Sequence, residues 1–254
     1  MVTRKSRAEI EKMRRAGRVV AEVLALCEEA LKPGVSTAEL DRRAEEHIRR
    51  SGATPSFKGY PGVNPRRPFP ASLCISIDDE IVHGIPGERT IRDGQVVSID
   101  AGAIVDGWHG DAARTFYVGT PPAEVADLID TTRRALTAGI AAARPGHHIE
   151  DISAAVEDLA RPKGYGIIRQ FVGHGIGTEM HEEPQVPNFR TGRPGRKLEP
   201  GLCLAIEPMF TLGRHEAHIL DDDWTVATRD GSLAAHFEDS IAITDDGPLL
   251  LTTL

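Results

Sequence analysis

The feature of this sequence that most constrains its fold is an internal repeat. The first block consists of Pro33-Gly34, Leu40, Glu45 and Gly52, and it recurs in the same order as Pro145-Gly146, Ile152, Glu157 and Gly164. A second match pairs His83-Gly84-Ile85 with His174-Gly175-Ile176, and a third pairs the run that ends at Asp100 with the run that ends at Glu207. Matches that keep their order predict two similar α+β halves, about 10–120 and 121–252, related by a pseudo-twofold axis. A site is expected where the halves meet.

Local patterns predict helices at the start of each half, with strands after them. Ser6 and Glu9 have the spacing of a capping box, and Ser36 is placed to begin a second helix after the Lys-Pro-Gly break. A third helix is predicted after Pro121-Pro122, and a fourth over about 149–160. Strands are predicted at Leu73–Ile77, Val96–Val105 and 115–118, and they dominate from Phe171 onward.

The bulk composition excludes several classes of protein. With a net charge of −8 the chain lacks the basic excess of a nucleic-acid binder. Its three cysteines, Cys27, Cys74 and Cys203, form no CxxC pair, which argues against a disulfide framework or a cysteine-ligated zinc site. No run approaches the roughly 18 apolar residues that cross a bilayer, and the charged start lacks the apolar centre of a signal peptide. We therefore expect a cytoplasmic protein that binds neither nucleic acid nor membranes.

Four carboxylates and one histidine stand where their chemistry needs an explanation. Asp100 and Glu207 each end an apolar run, where a carboxylate is costly unless it is paired or bound to a metal. Asp111 follows a Gly-Trp-His-Gly segment, which is predicted to be the turn of a hairpin that brings Asp111 beside Asp100. Glu238 precedes an apolar strand and is a candidate counterpart of Asp111 in the second half. His174 lies between glycines that let the backbone approach a site closely.

Such an oxygen-rich set with one imidazole suits a pair of divalent ions of the manganese, iron, cobalt or zinc type, bridged by carboxylates. Two such ions can activate a water and polarise an amide carbonyl. Taken singly, an acidic residue after an apolar run is more often a turn residue than a ligand, by roughly three to one. A lone histidine is likewise more often a hydrogen-bonded structural group. The occurrence of all five together with the repeat favours a dinuclear metal centre.

Eight segments of the chain resemble type I methionine aminopeptidases. In chain order they are FPASLCIS from Phe69, VHGIP from Val82, SIDAG from Ser98, HGDAARTF from His109, GHGIG from Gly173, HEEPQV from His181, AIEPM from Ala205, and DWTV from Asp223 together with AHFE from Ala235. The resemblance covers the chain from about residue 10 to about residue 252. One such motif is weak evidence, but eight in family order are specific.

The resemblance implies the pita-bread fold, an α+β architecture in which antiparallel sheets of two halves are covered by helices, as a single catalytic domain over residues 1–254. It implies removal of the initiator methionine from nascent polypeptides, with a preference for a small second residue. It assigns as metal ligands Asp100, Asp111, His174, Glu207 and Glu238. It adds His83, near the scissile nitrogen, and His181, as a donor to the scissile carbonyl. Glu207 would also carry a proton from water to the leaving amine.

By family position, the methionine pocket would be lined by Cys74, Trp224, Phe69 and Tyr60. For Trp224 and Phe69, plain core packing is an equally good interpretation, because aromatics dominate cores as well as pockets. Met180 stands where the family usually has phenylalanine, which alters the expected rim of the pocket. Segment 62–68 is expected to be an extra loop beside it.

Two alternatives stay open at this level. A proline-specific aminopeptidase or dipeptidase shares the fold and a similar metal site, although such enzymes usually carry an additional N-terminal domain, and His83 comes early in this chain. A non-catalytic binding homologue is the other, and the presence of all five ligands and both histidines argues against it. The expected partners are the N-termini of nascent polypeptides. The basic loop 190–197 is a candidate for transient ribosome contact, and we expect a monomer.

Overall fold

The computed structural model of the protein describes residues 2–62 and 64–254. The helices are α1 Arg7–Ala30, α2 Thr37–Arg50, α3 Ala123–Ala142 and α4 Ile149–Ala160, the last followed by a 3₁₀ turn over Arg161–Lys163. The strands are β1 Thr54–Pro55, β2 Leu73–Ile77, β3 Glu80–Val82, β4 Val96–Val105, β5 Trp108–Tyr117, β6 Gly166–Ile167, β7 Gly173–Gly175, β8 Glu182–Val186, β9 Cys203–Ile206, β10 Met209–Thr211, β11 Ala217–Ile219, β12 Val226–Thr228, β13 Ala234–His236, β14 Glu238–Thr244 and β15 Gly247–Leu250. Within these ranges, no helix combines the length and the apolar character needed to cross a membrane.

The first two helices begin where the sequence predicts. Ser6 Oγ accepts a hydrogen bond from the Glu9 N–H at 3.3 Å, and the Glu9 carboxylate accepts from the Ser6 N–H at 2.7 Å, which completes a capping box. Ser36 Oγ likewise accepts from the Glu39 N–H at 3.1 Å, at the start of α2. Each cap satisfies a backbone N–H that has no partner inside the helix. These predictions are confirmed.

A nine-stranded antiparallel sheet runs through both halves of the chain. Its central strands follow the order β2-β4-β5-β14-β9-β7, with β1 also beside β4, β15 beside β14 and β8 beside β7. Strands β2, β4 and β5 belong to the first half, and β7, β9 and β14 belong to the second. They therefore hold equivalent positions on the two sides of the β5–β14 pair. This symmetry supports the two halves that the repeat predicts.

One of the sequence matches is wrong as a structural equivalence. His174 lies inside β7 of the main sheet, whereas His83 follows β3, which pairs with β12 in a separate three-stranded sheet. The two His-Gly-Ile segments therefore do not occupy equivalent positions. By contrast, Asp100 in β4 and Glu207 at the end of β9 do lie on equivalent strands. The sequence match between the two runs that end at these residues is therefore also a structural equivalence.

The hairpin between β4 and β5 has a shorter turn than predicted. Strand β5 begins at Trp108, so that His109 and Gly110 already lie in the strand and only Asp106 and Gly107 form the turn. These two residues have φ angles of 50° and 79°. Two consecutive positive φ angles are what a tight two-residue hairpin turn requires, and an Asp-Gly pair supplies them readily.

The helices cover one face of the main sheet and leave the other face for the site. Val23 of α1 and Leu40 of α2 belong to a buried cluster with Ile75 and Ile99 of β2 and β4. Helices α3 and α4 form a second cluster with β9 and β14. Because successive side chains of a strand point to opposite faces, the neighbours of these core residues, such as Asp100, point away from the helices.

Candidate active site

The register of the sheet puts the carboxylates of the first hairpin and of β14 on one face. Asp100 pairs with Ala113, and Ala113 pairs with Glu238, so the three residues form one row across β4, β5 and β14. Asp111 lies two residues before Ala113 on β5 and therefore points to the same face. Asp100 and Asp111 are diagonal neighbours rather than directly opposed, which corrects the simple side-by-side pairing predicted for the hairpin.

The same face carries the predicted ligands of the second half. His174 pairs with Ala205, and Ala205 pairs with Ser240, which is two residues after Glu238. Glu207 follows Ala205 by two residues at the end of β9. By strand alternation, His174 and Glu207 thus point to the face that carries Glu238. The structure brings together all five residues that are predicted from the sequence to be metal ligands.

These side chains converge at short range. Nε2 of His174 lies 3.6 Å from Glu207 Oε1 and 3.9 Å from Asp111 Oδ2. The ligand atoms of Asp111, His174 and Glu238 all lie within 4.8 Å of one another. Nδ1 of His174 is 2.9 Å from the Gly175 carbonyl oxygen, which accepts a hydrogen bond from the ring N–H. That bond leaves the lone pair of Nε2 facing the carboxylates, as a metal ligand requires.

The electrostatics of the cluster fit divalent cations. Burial raises the pKa of Asp100 to about 7, and burial together with the Asp100 carboxylate raises the pKa of Glu207 to about 8. Burial and the neighbouring carboxylates raise the pKa values of Asp111 and Glu238 well above their usual range. Burial, and then His181, lowers the pKa of His174 to about 3, so its ring is neutral. Crowded carboxylates of this kind need a counter-charge to ionise together, and bound cations supply it.

Unpartnered polar atoms support the same interpretation. Oδ1 of Asp100, Oδ1 of Asp111 and Oε1 of Glu238 are buried and have no hydrogen-bond partner among the described residues. A buried carboxylate oxygen without a partner is costly. Oxygen ligands with one imidazole suit divalent metals of the first transition series. The residues present therefore fit a metal centre.

His236 is a further residue at the site, and it was not predicted from the sequence. Its Nε2 lies 3.7 Å from Glu238 Oε2 and 3.9 Å from Glu207 Oε2, and it is buried without a hydrogen-bond partner among the described residues. Its ligand atom and those of Glu207 and Glu238 lie within 4.8 Å of one another. The signal available in the sequence was its position two residues before Glu238.

A cavity of about 120 Å³ adjoins the five predicted metal ligands. Besides the ligands, it is lined by Phe57, Tyr60, Phe69, Cys74, His83, Met180, His181 and Trp224. All four residues assigned to the methionine pocket are among them, and Phe57 is an addition. The Phe69 ring packs edge to face on Trp224, with centroids 5.1 Å apart, and on Phe57 at 6.4 Å. Burial raises the pKa of the Cys74 thiol well above its usual value, so it forms a neutral, apolar wall.

The segment 62–68 lies beside this cavity, and within it Val63 is outside the described residues. Trp224 Nε1 donates a hydrogen bond to the Arg67 carbonyl oxygen at 2.9 Å, and Asn64 Nδ2 donates to Asp223 Oδ2 at 3.1 Å. The loop therefore braces the tryptophan that forms one wall of the cavity. Met180 is also buried in the lining of this cavity.

His83 and His181 both line the cavity. His83 has a φ angle of 61°, a left-handed conformation that is uncommon outside glycine and is concentrated at functional sites. Burial, followed by nearby His181, lowers the pKa of His83 to about 4, so that its ring is neutral. The His181 ring lies 4.4 Å from the ring of His174, measured between centroids, and burial lowers its pKa as well. Both histidines therefore stand beside the ligand cluster as uncharged groups.

Comparisons with known proteins agree with this geometry. The model of metallopeptidase family M24 matches residues 11–245. A methionine aminopeptidase of Clostridium acetobutylicum is 49% identical over 255 residues, which is 99% of both chains. The crystal structure of a methionine aminopeptidase from Thermotoga maritima superposes with a TM-score of 0.95 at 37% identity, covering all of both chains. A prolidase from Pyrococcus furiosus has a TM-score of 0.80 at 22% identity, with 65% of its chain covered, and shares the fold.

Proposed function

The chain belongs to the methionine aminopeptidases of metallopeptidase family M24, and we propose that it removes the initiator methionine from the N-termini of nascent polypeptides. The observation that carries the proposal is the convergence of four carboxylates and one histidine beside a narrow apolar cavity. A metal centre beside such a cavity suits hydrolysis of the first peptide bond after an apolar side chain. The prolidase likeness supports the shared fold but not proline specificity.

We propose that the centre holds two divalent ions of iron, manganese, cobalt or zinc. Their ligands would be Asp100, Asp111, His174, Glu207 and Glu238. Four crowded carboxylates support this number, because two divalent cations neutralise them, whereas one cation leaves two charges buried. When bound, the ions supply Lewis-acid activation of a water and of the scissile carbonyl.

The remaining chemistry belongs to three side chains. Glu207 would take a proton from the attacking water and give it to the leaving amine, which a carboxylate at the end of β9 can do while it faces the cavity. His181 would donate a hydrogen bond to the scissile carbonyl oxygen, and that bond strengthens as negative charge develops there. His83 would contact the substrate near its scissile nitrogen.

The cavity supports the preference for methionine. Its walls include Cys74, Phe69, Met180 and Trp224, which are apolar, polarisable or aromatic groups that suit an unbranched thioether side chain. The second substrate residue would lie at the mouth, beside the solvent-accessible His181. A small second residue would pass there most readily.

Turnover of two tripeptides tests the proposal. The protein should cleave Met-Ala-Ser and not Ala-Pro-Ala when assayed anaerobically with added divalent metal, and elemental analysis should find two ions per active chain. Glu207→Gln is the matched control for metal-dependent background hydrolysis. Cleavage of Ala-Pro-Ala in place of Met-Ala-Ser would favour the proline-specific alternative. Absence of turnover with every metal tried would favour the non-catalytic one.

The substrate class also supports a location and an assembly state. Nascent N-termini are reached in the cytoplasm, and we propose that the enzyme acts there as a monomer. Within the candidate ribosome contact 190–197, Arg190 forms ion pairs with Glu157 and Asp158, and Arg196 pairs with Glu199. Part of the positive charge of this loop is therefore neutralised within the chain. Sedimentation with purified ribosomes would test whether the rest supports transient contact.

A further inference from the structure

Tyr60 makes a contact that its assignment as a pocket wall does not explain. Its hydroxyl oxygen lies 2.6 Å from Nδ1 of His181, and the two rings pack edge to face with centroids 5.3 Å apart. Nε2 of His181 makes no hydrogen bond to the residues that the structure describes. Tyr60 thus engages one ring nitrogen of His181 and leaves the other available to the cavity that both residues line.

The backbone holds Tyr60 in this place. Its N–H donates to the Phe57 carbonyl oxygen at 2.8 Å, and its own carbonyl oxygen accepts from the Phe69 N–H at 2.9 Å. The Gly59 N–H donates to the Phe69 carbonyl oxygen at 2.8 Å. These bonds close the base of the loop between Tyr60 and Phe69 and anchor the backbone of Tyr60 beside the cavity.

The direction of the hydrogen bond decides what His181 can do. A neutral imidazole has one N–H and one lone pair. If the phenol donates to Nδ1, the ring proton is on Nε2 and can be donated to a carbonyl oxygen. If Nδ1 donates to the phenol oxygen, Nε2 presents a lone pair, which repels the negative charge that develops on that oxygen. Burial, followed by Glu179, raises the pKa of Tyr60, so the phenol keeps the proton that it would donate.

We propose that Tyr60 is a positioning residue whose phenolic O–H donates to Nδ1 of His181, which keeps the ring proton on Nε2 and fixes the ring for donation to the scissile carbonyl oxygen. The proposal rests on the proposed function, because it assigns Tyr60 a role through the oxyanion donor. Similar outer partners orient the ring and select the tautomer of histidines at metal centres.

Tyr60→Phe tests the proposal because it removes the hydroxyl and keeps the aromatic wall. With Met-Ala-Ser, kcat should fall about tenfold, or about 1.4 kcal/mol, in the range found for loss of orienting partners. KM should stay within about twofold, and the bound metal should be unchanged. In a His181→Ala background, Tyr60→Phe should have no further effect, because the group through which it acts is gone. Tyr165→Phe, which removes a hydroxyl bonded to Asp127 away from the cavity, is the matched control.

Three results would overturn the proposal. A rise in KM with unchanged kcat would mean that the hydroxyl contacts the substrate, and an equal loss in the His181→Ala background would mean that it acts without the histidine. The third comes from ¹⁵N-histidine NMR, with the His181 signals assigned by their loss in His181→Ala. The spectrum should show the Nε2-protonated tautomer, and protonation at Nδ1 instead would contradict the proposal. Since NMR needs no turnover, it decides the proposal even if the wild-type protein is inactive and the proposed function fails.

Discussion

Removal of the charge of Lys5 would test how the N-terminal segment holds the loop that carries His181. Lys5 Nζ lies 2.5 Å from Glu182 Oε2, and the two side chains are only 3% and 11% exposed. The other oxygen of Glu182, Oε1, accepts from the N–H groups of Thr178 and Glu179 at 3.0 and 3.4 Å. The ion pair therefore ties the turn before His181 to the start of the chain.

Lys5→Met keeps an apolar stem of similar length but leaves the Glu182 carboxylate without its cation. Breaking a buried ion pair from one side costs about 3–5 kcal/mol. We expect the lower end, about 3 kcal/mol, because Oε1 keeps both backbone donors. For a chain of this size each kcal/mol lowers Tm by about 2–4 °C, so the expected fall is roughly 6–12 °C. The kcat should also fall, since the loop that positions His181 loosens, while the metal content stays unchanged.

Urea unfolding at neutral pH measures the free-energy difference. The matched control is Arg18→Met, which breaks the exposed pair with Glu22, where the side chains are 69% and 32% exposed. Exposed pairs contribute about 0–1 kcal/mol, so the control should remain close to the wild-type protein. Equal unfolding free energies for Lys5→Met and the wild-type protein would refute the reasoning.

The pH dependence gives an independent check with a definite sign. Burial raises the pKa of Glu182, but the hydrogen bonds from Lys5 and Thr3 outweigh it, so that the pKa lies below the ordinary value of 4.5. A lowered pKa in the folded state contributes stability above the unfolded value, and this stability is lost as the pH falls through the folded value. The difference in the free energy of unfolding between the wild-type protein and Lys5→Met should therefore become smaller below about pH 4.5. A difference in unfolding free energy that is the same in acid and at neutral pH would contradict the ion-pair explanation.

Three further substitutions have definite expected outcomes. Glu207→Gln should retain the fold by circular dichroism and lose turnover of Met-Ala-Ser, because it removes both a ligand charge and the proton carrier; residual turnover near wild type would exclude that role. His181→Ala should lower kcat by roughly 10²–10³-fold with metal content intact, as loss of one oxyanion donor does elsewhere, and elemental analysis that finds metal lost would contradict the assignment. Gly17→Ala should destabilise the protein by about 1–3 kcal/mol, although alanine favours a helix by about 1 kcal/mol, because the added Cβ would lie 2.2 Å from the Leu251 carbonyl oxygen. Thermal unfolding measures the loss of stability. The control is Gly87→Ala, because a Cβ added at Gly87 would have no atom within 4 Å. A stabilised Gly17→Ala would show that the close contact is absent.

Local features of the fold were predictable because local interactions produce them. Ser6 and Glu9 form their capping box within a single turn of helix, so their spacing in the sequence is sufficient to predict it. The strands Leu73–Ile77 and Val96–Val105 were predicted with the bounds that they have, because continuous apolar runs mark strands buried between layers. The start of β5 at Trp108 was missed, since a two-residue Asp-Gly turn leaves His109 and Gly110 free to continue the ladder.

The sequence by itself determined which side chains are candidates for the metal centre and the substrate site, because motif spacing and a carboxylate at the end of an apolar run are visible without a structure. The tertiary structure alone decided how those groups meet. Strand register placed Asp100, Glu238 and His174 on one face and separated His83 from His174. Packing brought His236 to two of the predicted ligands, Glu207 and Glu238. The contacts of Tyr60 with His181 and of Lys5 with Glu182 join residues far apart in the chain. Pairings of this kind depend on packing between distant segments, and no local pattern of residues encodes them.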